Sequence, residues 1–569
     1  MKRLYILLAF IIPMSTAYGR ERSAEEMRAC ALQKLSPVHE VKGLSGSNKA
    51  YAISEVLRNE AVVVFAPSDG DGFAIVSRDD AYPDVIGYGT AHFDATDLPC
   101  CLSWWLQQAT SCMRKGTSYR APQKHMAHKA VSSIISTKWG QGMPYNNLAP
   151  IMNGRHAPAG CVATAMAQIL NYNQYPSETD FSGRYRTGGE ETVKTEFVHS
   201  TYTYPYKKAY GYYYPEGYVS EEDYIREDYT DDEAQQIATL LRDCGYAIEM
   251  NYADGGSGAS LYVAADALLR KFGYSEQAIM FYMRNFYSDE EWHDIVLKEL
   301  ELGYPVIYGG SDEEQGGHAF VVHGCDEDGL VYVNWGWDGS CDGFYNMDLM
   351  NPTGYEFSGG QHLVTGLRPQ PLTSDHGHSL LVVTEPYTLR TARSRIAAYF
   401  SSPAYNLAPV DLYGRIALIM EDIDTGERTI TDIIDPGTGP RTNYTVFDGL
   451  TQTNATGERG HHYHVYIASL QDTEQEWQPI RTYGGAFYYD LFVTEAGKYE
   501  FSEQKDFIYT GIREVSGTAK ARDARQTRVY DQSGRLVYTA PTKSFNLWDV
   551  PARGVLVVKQ GETVKKVVR

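Results

Sequence analysis

The sequence predicts an α+β protein built from several domains. At 569 residues the chain exceeds the roughly 250 residues that one hydrophobic core usually supports. Between residues 129 and 368, segments with helical spacing of apolar residues come first and strand-like segments follow, which is typical of an α+β domain with a cleft between its halves. After residue 369, short alternating strands with turn-rich connections predict a β-sandwich.

The first residues have the pattern of a cleaved secretory signal. Lys2 and Arg3 precede the apolar run LYILLAFII, and the small residues Ala17 and Gly19 stand where a signal peptidase accepts them. The run is too short to span a bilayer, and no later stretch approaches the roughly 18 to 20 apolar residues that a membrane helix needs. We therefore expect residues 1–19 to be removed and the protein to lie outside the cytosol, without a transmembrane segment.

Residues 20–128 predict a small α+β domain and a linker. SAEEMRACALQKL and LSWWLQQATSCMRK have helical spacing, whereas AVVVFAP and GFAIVSR have strand character. The next stretch, GTSYRAPQKHMAHKA, is polar, basic and without periodicity, so it predicts an exposed linker that a protease can reach. The central α+β domain then covers residues 129–368, and the β-sandwich covers 369–510.

The composition excludes some partners and cofactors. The 72 acidic and 51 basic side chains give a formal net charge of -21, which repels nucleic acid and anionic lipid. We expect no metal or other cofactor, because the sequence has no HExxH motif and its histidines lack ligand spacing. Eight cysteines are too few for a disulfide scaffold. Cys325 and Cys341 could form a disulfide or be buried free thiols.

The segment PAGCVATAMAQIL places Cys161 in the first turn of a predicted helix. Unpaired backbone N–H groups and the helix dipole favour a thiolate there, which lowers the thiol pKa from its usual value of about 8.5. Such a sulfur is a nucleophile at neutral pH. A cysteine packed as a small hydrophobic residue is the alternative interpretation.

The segment QGGHAFVVHG supplies a candidate base for this nucleophile. His318 follows two glycines at the start of a strand-like run, and its rival His323 would face the opposite side of the strand because the spacing is odd. In VYVNWGWDG, the amide of Asn334 can orient a histidine ring, and the indole of Trp335 can shield that hydrogen bond from water.

The segment TKWGQGMPYN places Gln141 between two glycines. Acyl transfer needs hydrogen-bond donors aimed at the developing oxyanion, and the Gln141 amide together with the Cys161 backbone N–H could form that pair. The order Gln, Cys, His, Asn is much more specific than any one of these features.

The chain resembles the streptopain-like cysteine peptidases, which have a papain-like two-lobe fold, in KWGQGMPYN, GCVATAMAQILNYNQYP, GGHAFVVHGCD and VNWGWDGSCDGFY. The resemblance extends from about residue 40 to 368. It implies that Cys161 is the nucleophile, that His318 is the general base and acid, and that Gln141 helps to form the oxyanion hole. Asn334 and Trp335 align with the segment that supports the histidine.

Two further features follow from the resemblance. The glycine-rich ADGGSGAS resembles a substrate-contacting loop, so Ser257 and Gly317 are candidates for binding the peptide backbone. GFAIVSRDDAYPDVIGYGTAHFD resembles the family's inhibitory prodomain, which implies that the chain's own prodomain covers the cleft until it is cut away.

The last residues, 511–569, predict a separate small β module with three strands and turns at SG and GE. YDQSGRLVY, LWDVPARGVLVVK and the terminal KKVVR resemble the C-terminal sorting domain of substrates of the type IX secretion machinery. This resemblance implies export across an outer membrane and removal of the tail.

The sequence thus predicts a secreted cysteine endopeptidase that acts on proteins or peptides. We expect an inactive zymogen, matured by its own active site through cleavage between Lys124 and Lys129. Two other functions stay open. One is a Cys–His acyl transferase or amidase on a related fold, and the other is a non-catalytic surface adhesin whose β modules bind a host protein.

Overall fold

The computed structural model describes most of the chain. The described residues are 19–41, 52–67, 71–114, 129–187, 192–204, 209–213, 225–226, 228–276, 278–312, 316–347, 349, 360–369, 381–392, 395–409, 414–423, 425–434, 445–471, 476–507, 526–530, 536–541, 555–560 and 563–568. The predicted signal, apart from its last residue, and most of the predicted linker lie outside these residues. Across the described ranges, no helix has the length and apolar character needed to cross a membrane.

The described part of the N-terminal region, residues 20–128, contains two helices and four strands. Their bounds are α1 (Ala24–Val41), β1 (Ile53–Arg58), β2 (Val62–Pro67), β3 (Phe73–Ser77), β4 (Val85–Gly89) and α2 (Cys100–Arg114). Both predicted helices and both predicted strands are confirmed, and β1 and β4 are additional. Helix α1 covers one face of this small sheet, where Met27, Ala31 and Leu35 pack with Val63 and Val76.

The central domain, residues 129–368, mixes helices and strands along the chain. Its elements are β5 (Ile151–Met152), β6 (Arg155–His156), α3 (Cys161–Asn173), β7 (Glu178–Arg186), β8 (Thr192–Thr201), β9 (Tyr212–Tyr213), β10 (Ile225–Arg226), α4 (Asp231–Ala247), α5 (Leu261–Arg270), β11 (Met280–Met283), the 3-10 helix η1 (Arg284–Phe286), α6 (Asp289–Glu301), β12 (Val306–Asp312), β13 (Gly316–Cys325), β14 (Val331–Asn334), β15 (Gly343–Tyr345) and β16 (His362–Thr365).

The predicted order of helices first and strands later is only partly right for this domain. Strands β7 and β8 form a hairpin between α3 and α4, because threonine, valine and aromatic residues there favour extended backbone. Helix α6 comes after β11, and a capping box between Ser288 and Glu291 starts it. The four strand-like segments predicted for the later half are confirmed as β12 to β15.

One antiparallel sheet of ten strands joins the N-terminal region to the central domain, in the order β1-β2-β3-β4-β15-β14-β13-β12-β16-β11. The junction is the β4–β15 ladder, where Tyr88 pairs with Phe344 and Gly87 pairs with Tyr345. Only glycine fits at Gly343, because an added Cβ atom would lie 2.5 Å from the Tyr88 carbonyl oxygen. The two parts are therefore bound through their main chains as well as their side chains.

Helices cover the middle of this sheet, and α2, α3 and α6 all pack against β13. A row of aromatic rings with centroids 4.9 to 6.0 Å apart fills the space around β13 and β15. Its members are Trp105, Tyr345, Trp335, Phe320, Tyr308 and Trp292. Because Trp105 belongs to α2, the N-terminal region contributes to the same core.

The β-rich region, predicted as a β-sandwich over residues 369–510, contains strands alone among its described residues. These are β17 (Leu381–Val383), β18 (Thr388–Ala392), β19 (Arg395–Asn406), β20 (Gly414–Asp422), β21 (Arg428–Ile434), β22 (Thr445–Gln452), β23 (His462–Gln471), β24 (Gln478–Pro479), β25 (Arg481–Thr482), β26 (Gly485–Val493) and β27 (Tyr499–Asp506). Buried and half-buried residues alternate along β26, as expected for a strand with one face on a core.

The C-terminal sheet has four strands, so the prediction of three was wrong. The strands are β28 (Gln526–Tyr530), β29 (Leu536–Pro541), β30 (Val555–Gln560) and β31 (Thr563–Val568). Strand β28 pairs with β29 and with β30, and β30 pairs with β31, all antiparallel, whereas the predicted turns at SG and GE lie outside the described residues. Two hairpins therefore give four strands.

A buried arginine fixes the β-rich region to the central domain. Arg481 is 4% exposed, and it donates hydrogen bonds to the Phe286 carbonyl oxygen (2.8 Å) and to the Glu291 carboxylate (2.5 Å). Its guanidinium lies 4.2 Å from the centroid of the Tyr287 ring. Tyr483 stacks on Phe286 with centroids 5.2 Å apart. The β-rich region is thus anchored to η1 and to the start of α6.

We expect Arg481→Met to lower the free energy of unfolding by about 3–5 kcal/mol, because it leaves the carboxylate of Glu291 buried without its partner. Arg428→Met is the matched control, since Arg428 faces Glu421 at 3.6 Å with 46% of its side chain exposed, and it should cost less than about 1 kcal/mol. Thermal unfolding measures both variants. Equal effects would contradict the anchoring role of Arg481.

Candidate active site

Cys161 is the first residue of α3, as the sequence predicts. Gly160 precedes it with φ of +91°, and a Cβ atom there would lie 2.6 Å from the Met250 methyl group and 3.0 Å from the Ser257 carbonyl oxygen. Glycine is therefore required for its backbone and for its lack of a side chain. No acidic side chain lies in the first turn and no side chain caps it. The N–H groups and the dipole at a helix start favour negative charge at the Cys161 sulfur.

His318 lies near the start of β13, and the helix that begins with Cys161 packs against this strand. The His318 side chain is partly buried, and in the ladder His318 pairs with Gly310 of β12. Strand alternation places Phe320 on the same face as His318. The Phe320 ring lies 4.9 Å from the Trp335 ring, so buried aromatic residues surround that face next to His318.

His323 belongs to the protein core. Its side chain is 2% exposed, and Nδ1 lies 3.3 Å from both the Ile135 N–H and the Ser133 hydroxyl. Burial lowers the pKa of His323 to about 3. His323 packs against the segment that carries Ser133 and Ile135, and its buried neutral ring has a structural role.

The side-chain amide of Asn334 links β14 to α3 by hydrogen bonds. Its Nδ2 donates to the Thr137 carbonyl oxygen (2.7 Å) and to Gln168 Oε1 (2.9 Å). Its Oδ1 accepts from Gln168 Nε2 (3.2 Å) and from the Gly336 N–H (3.0 Å). These bonds use both protons and both acceptor positions of the amide. The structure places Asn334 under the site, where it supports Trp335 and α3.

Trp335 is fully buried and is fixed at both ends. Its backbone N–H donates to the Asp342 carboxylate (3.0 Å), and its indole Nε1 donates to the Cys341 carbonyl oxygen (3.1 Å). Burial raises the pKa of Asp342 to about 7, and the hydrogen bond from Trp335 opposes that rise. The Trp335 indole, which packs on Phe320, therefore forms a rigid wall beside the strand that carries His318.

Gln141 is brought close to Cys161 by backbone hydrogen bonds. The Ala159 N–H donates to the Gln141 carbonyl oxygen (2.9 Å) two residues before the cysteine. The Thr164 hydroxyl, one turn into α3, donates to the Gly140 carbonyl oxygen (3.3 Å). The Gln141 side chain is half-buried. The loop around Gln141 is thus attached directly to the start of α3.

The two candidates for substrate binding lie in different places. Ser257 is 8% exposed, and its carbonyl oxygen faces Gly160, so its loop contacts the residue before the nucleophile. Gly317 is exposed, precedes His318, and pairs with Ser311. Ser257 thus lies near Cys161, and Gly317 lies next to His318.

Two polar residues inside α3 were missed in the sequence. Thr164 links the Gln141 loop to the helix, and Gln168 pairs with Asn334. Both are buried, and they follow Cys161 by three and seven residues, which puts them on one helix face. Polar residues at that spacing in an otherwise apolar helix were the signal that could have identified them.

The described cysteine side chains are free thiols, including Cys325 and Cys341. The disulfide that the sequence left open between these two is therefore not formed. Each thiol lies 3.7 Å from a backbone carbonyl oxygen, that of Lys129 for Cys325 and that of His92 for Cys341. Burial raises the pKa of Cys341 to about 11. Within the described ranges, no group of three or more histidine, cysteine or acidic side chains could hold a metal ion.

The buried, neutral His323 makes stability depend on pH. Its pKa is lowered from 6.5 to about 3 in the folded protein, so the unfolded chain binds more protons between these values. Above pH 6.5 the ring is neutral in both states, and its burial costs no stability for this reason. As the pH falls below 6.5, the free energy of unfolding decreases by up to about 1.4 kcal/mol per pH unit. In His323→Asn an amide oxygen can still accept the Ile135 N–H, but nothing titrates, so the loss of stability on acidification should be smaller.

Urea unfolding at pH 7, 6 and 5 measures this difference. His462→Asn is the control, because His462 is exposed on the β-rich region and its replacement should leave the pH dependence unchanged. Identical pH dependence in the wild type and His323→Asn would show that His323 is not responsible.

Comparison with known proteins assigns the family. A model of the peptidase C10 family matches residues 139–345. The chain is 31% identical to the thiol protease/hemagglutinin PrtT of Porphyromonas gingivalis over 407 residues, which are 65% of this chain and 44% of that protein. It is 30% identical to streptopain of Streptococcus pyogenes over 394 residues, which are 64% of this chain and 89% of that protein. The match thus spans less than half of PrtT.

Solved structures from Prevotella intermedia also match. A prointerpain A fragment is 35% identical and has a TM-score of 0.47, with 57% of this chain and 100% of that chain covered. Active interpain A cysteine protease is 37% identical and has a TM-score of 0.35, with 43% and 98% covered. The family model and the extent of the streptopain match show that the chain belongs to the peptidase C10 family of cysteine endopeptidases.

Proposed function

We propose that this protein is a secreted cysteine endopeptidase made as an autoinhibited zymogen. The observation that carries the proposal is the position of Cys161 at the uncapped start of α3, packed against the strand that contains His318. The Gln141 loop, attached two residues before the cysteine, supports acyl transfer at the same place. The substrates would be proteins or peptides.

In the acylation step, the Cys161 thiolate attacks the carbonyl carbon of the scissile peptide bond. The carbonyl oxygen gains negative charge, and the N–H groups at the start of α3 and the Gln141 amide stabilise it. His318, as the imidazolium, gives its proton to the leaving nitrogen as the C–N bond breaks. A thioester with Cys161 and a free amine result.

In the deacylation step, neutral His318 takes a proton from water, and the hydroxide attacks the thioester carbonyl. The C–S bond breaks, the acid product leaves, and the proton held by His318 restores the thiolate–imidazolium pair. Trp335 and Phe320 supply an apolar wall next to His318, which limits the water that can reach its hydrogen bonds. Asn334 acts as a positioning residue through Gln168 and Trp335.

The position of α2 supports autoinhibition by the N-terminal region. Trp104 of α2 is 2% exposed, and a Cβ atom added at Gly310 would lie 2.5 Å from its indole. Gly310 is the cross-strand partner of His318, and paired residues point to the same face of a sheet. The indole therefore covers the sheet next to His318, on the face to which the His318 side chain points. Release of α2 would uncover that face.

Secretion and sorting are part of the proposal. Residues 1–19 would direct export, and residues 511–569 would serve the type IX secretion machinery and then be removed. The polar and basic sequence of the linker supports cleavage between Lys124 and Lys129, which would sever the chain between α2 and the central domain.

We expect Cys161→Ala to block both maturation and peptide hydrolysis, because neither step has a nucleophile without the sulfur. Purified precursor of the wild type should shorten by the mass of the N-terminal region, and N-terminal sequencing should find a new start in the linker. The variant should stay full length. His318→Ala is the second variant and should lose at least about 1000-fold in kcat/KM.

Three outcomes distinguish the open functions. Maturation and casein cleavage by Cys161→Ala at the wild-type rate would refute the peptidase assignment. Loss of thioester chemistry with preserved binding of a host protein would favour the adhesin. Transfer of the acyl group to amines in preference to water would favour the transferase.

We expect Trp104→Ala to loosen the inhibitory contact. Removal of a buried indole costs about 3–5 kcal/mol, so α2 should leave the His318 face more often. The measurement is the rate at which an irreversible thiol alkylator labels Cys161 in the uncleaved precursor, made uncleavable by replacement of Lys124 and Lys129. Trp104→Phe keeps a ring on Gly310 and should label at an intermediate rate. Equal labelling of the wild type and Trp104→Ala would contradict inhibition through this contact.

A further inference from the structure

An exposed acidic side chain lies next to the loop that carries Gln141. Asp338 is exposed, and a Cβ atom added at Gly140 would overlap its carboxylate, so the carboxylate lies directly against the residue before Gln141. The neighbouring Trp337 is also exposed (37%), whereas Trp335 is fully buried. The mechanism above uses neither Trp337 nor Asp338.

The turn that carries this pair follows directly from the aromatic wall beside His318. Strand β14 ends at Asn334, and the next residue, Trp335, contacts Phe320, which shares a strand face with His318. A Cβ atom added at Gly336 would lie 3.3 Å from the Thr164 methyl group, so the chain between Trp335 and Trp337 passes over the first turn of α3. Because His318 protonates the leaving amine in the proposed mechanism, Trp337 and Asp338 stand beside the leaving-group side of the substrate.

The turn that carries the pair is rigid. Asp338 and Gly339 have φ of +51° and +80°, and the Ser340 N–H donates to the Trp337 carbonyl oxygen (2.8 Å), which together define a turn that favours Asp or Asn before Gly. The following residue, Cys341, receives the indole hydrogen bond of Trp335. Trp337 and Asp338 are therefore presented from a fixed support.

Among the described residues, no basic side chain forms a salt bridge with Asp338, and its polar neighbour is the Tyr145 hydroxyl. Lys138 lies against Gly339 but forms no salt bridge with Asp338, and Asp342 adds a second acid nearby. Solvent reaches the Asp338 side chain on one side, yet the surrounding protein removes water on the others and raises its pKa to about 6, while the Tyr145 hydroxyl opposes the rise. A cation from outside would complete this group.

We propose that Trp337 and Asp338 form a subsite that selects a basic side chain, arginine or lysine, on the leaving-group side of the scissile bond. This inference rests on the proposed peptidase function. The exposed indole offers a face for the cation, and the Asp338 carboxylate offers its counter-charge.

The test compares peptides that differ by one charge. Two series of internally quenched peptides carry arginine or its neutral isostere citrulline, one series just after the scissile bond and the other just before it. With enzyme produced from the full chain, kcat/KM should be about five- to tenfold higher for arginine in the first series. Asp338→Asn removes the charge but suits the same turn, so it should bring this ratio close to one. Glu503→Gln removes one exposed charge from β27 as the matched control and should not change the ratio.

The pH dependence of the ratio gives a readout that a structural role would not move. In the wild type the preference for arginine should rise between pH 5 and pH 7.5 as Asp338 loses its proton, whereas in Asp338→Asn it should stay flat. A ratio that Asp338→Asn leaves unchanged, or a preference confined to the series before the scissile bond, would overturn the inference while leaving the peptidase function intact. Absence of any Cys161-dependent cleavage would overturn both.

Discussion

A reciprocal pair of side-chain amides, Gln168 and Asn334, fixes the geometry on which the candidate site depends. Both side chains are 1% exposed, and each donates to the other, at 2.9 and 3.2 Å. A buried amide that loses its partner retains its desolvation cost, so the pair resists separation. Gln168 lies two turns after Cys161 on α3. The pair therefore fixes the distance between the start of α3 and strands β13 and β14. The nucleophile is positioned from within the core.

The same sheet that carries His318 also holds the N-terminal region, and this shared sheet has consequences for regulation. Strand β4 is bound to β15 by main-chain hydrogen bonds, and α2 adds Trp104 and Trp105 to the core around β13 and β15. This contact is large and apolar, so cleavage of the linker alone would not remove it at once.

The sequence indicated candidates for the chemistry of the site but not the residues that support them. Cys161, His318 and Gln141 could be proposed because glycines and helix-forming residues mark positions where a side chain can be both placed and exposed. Thr164 and Gln168 escaped notice because a buried polar residue is indistinguishable from a solvent-facing one until the partner strand is known. The junction of β4 with β15 could not be predicted either, since strand pairing over more than 250 residues leaves no local pattern.

The site has a buried interior and an exposed rim, which is formed by Trp337 and Asp338. Substitutions affect protein stability differently in these two parts. Asn334, Trp335 and Asp342 are buried and mutually hydrogen-bonded or packed, so a change in any one leaves an unpaired group or a cavity. Trp337 and Asp338 follow directly in the chain but face solvent, where a substitution compatible with the turn costs little stability. If the proposed subsite is correct, selectivity can change at these two exposed positions while the buried residues keep the start of α3 and the Gln141 loop in place.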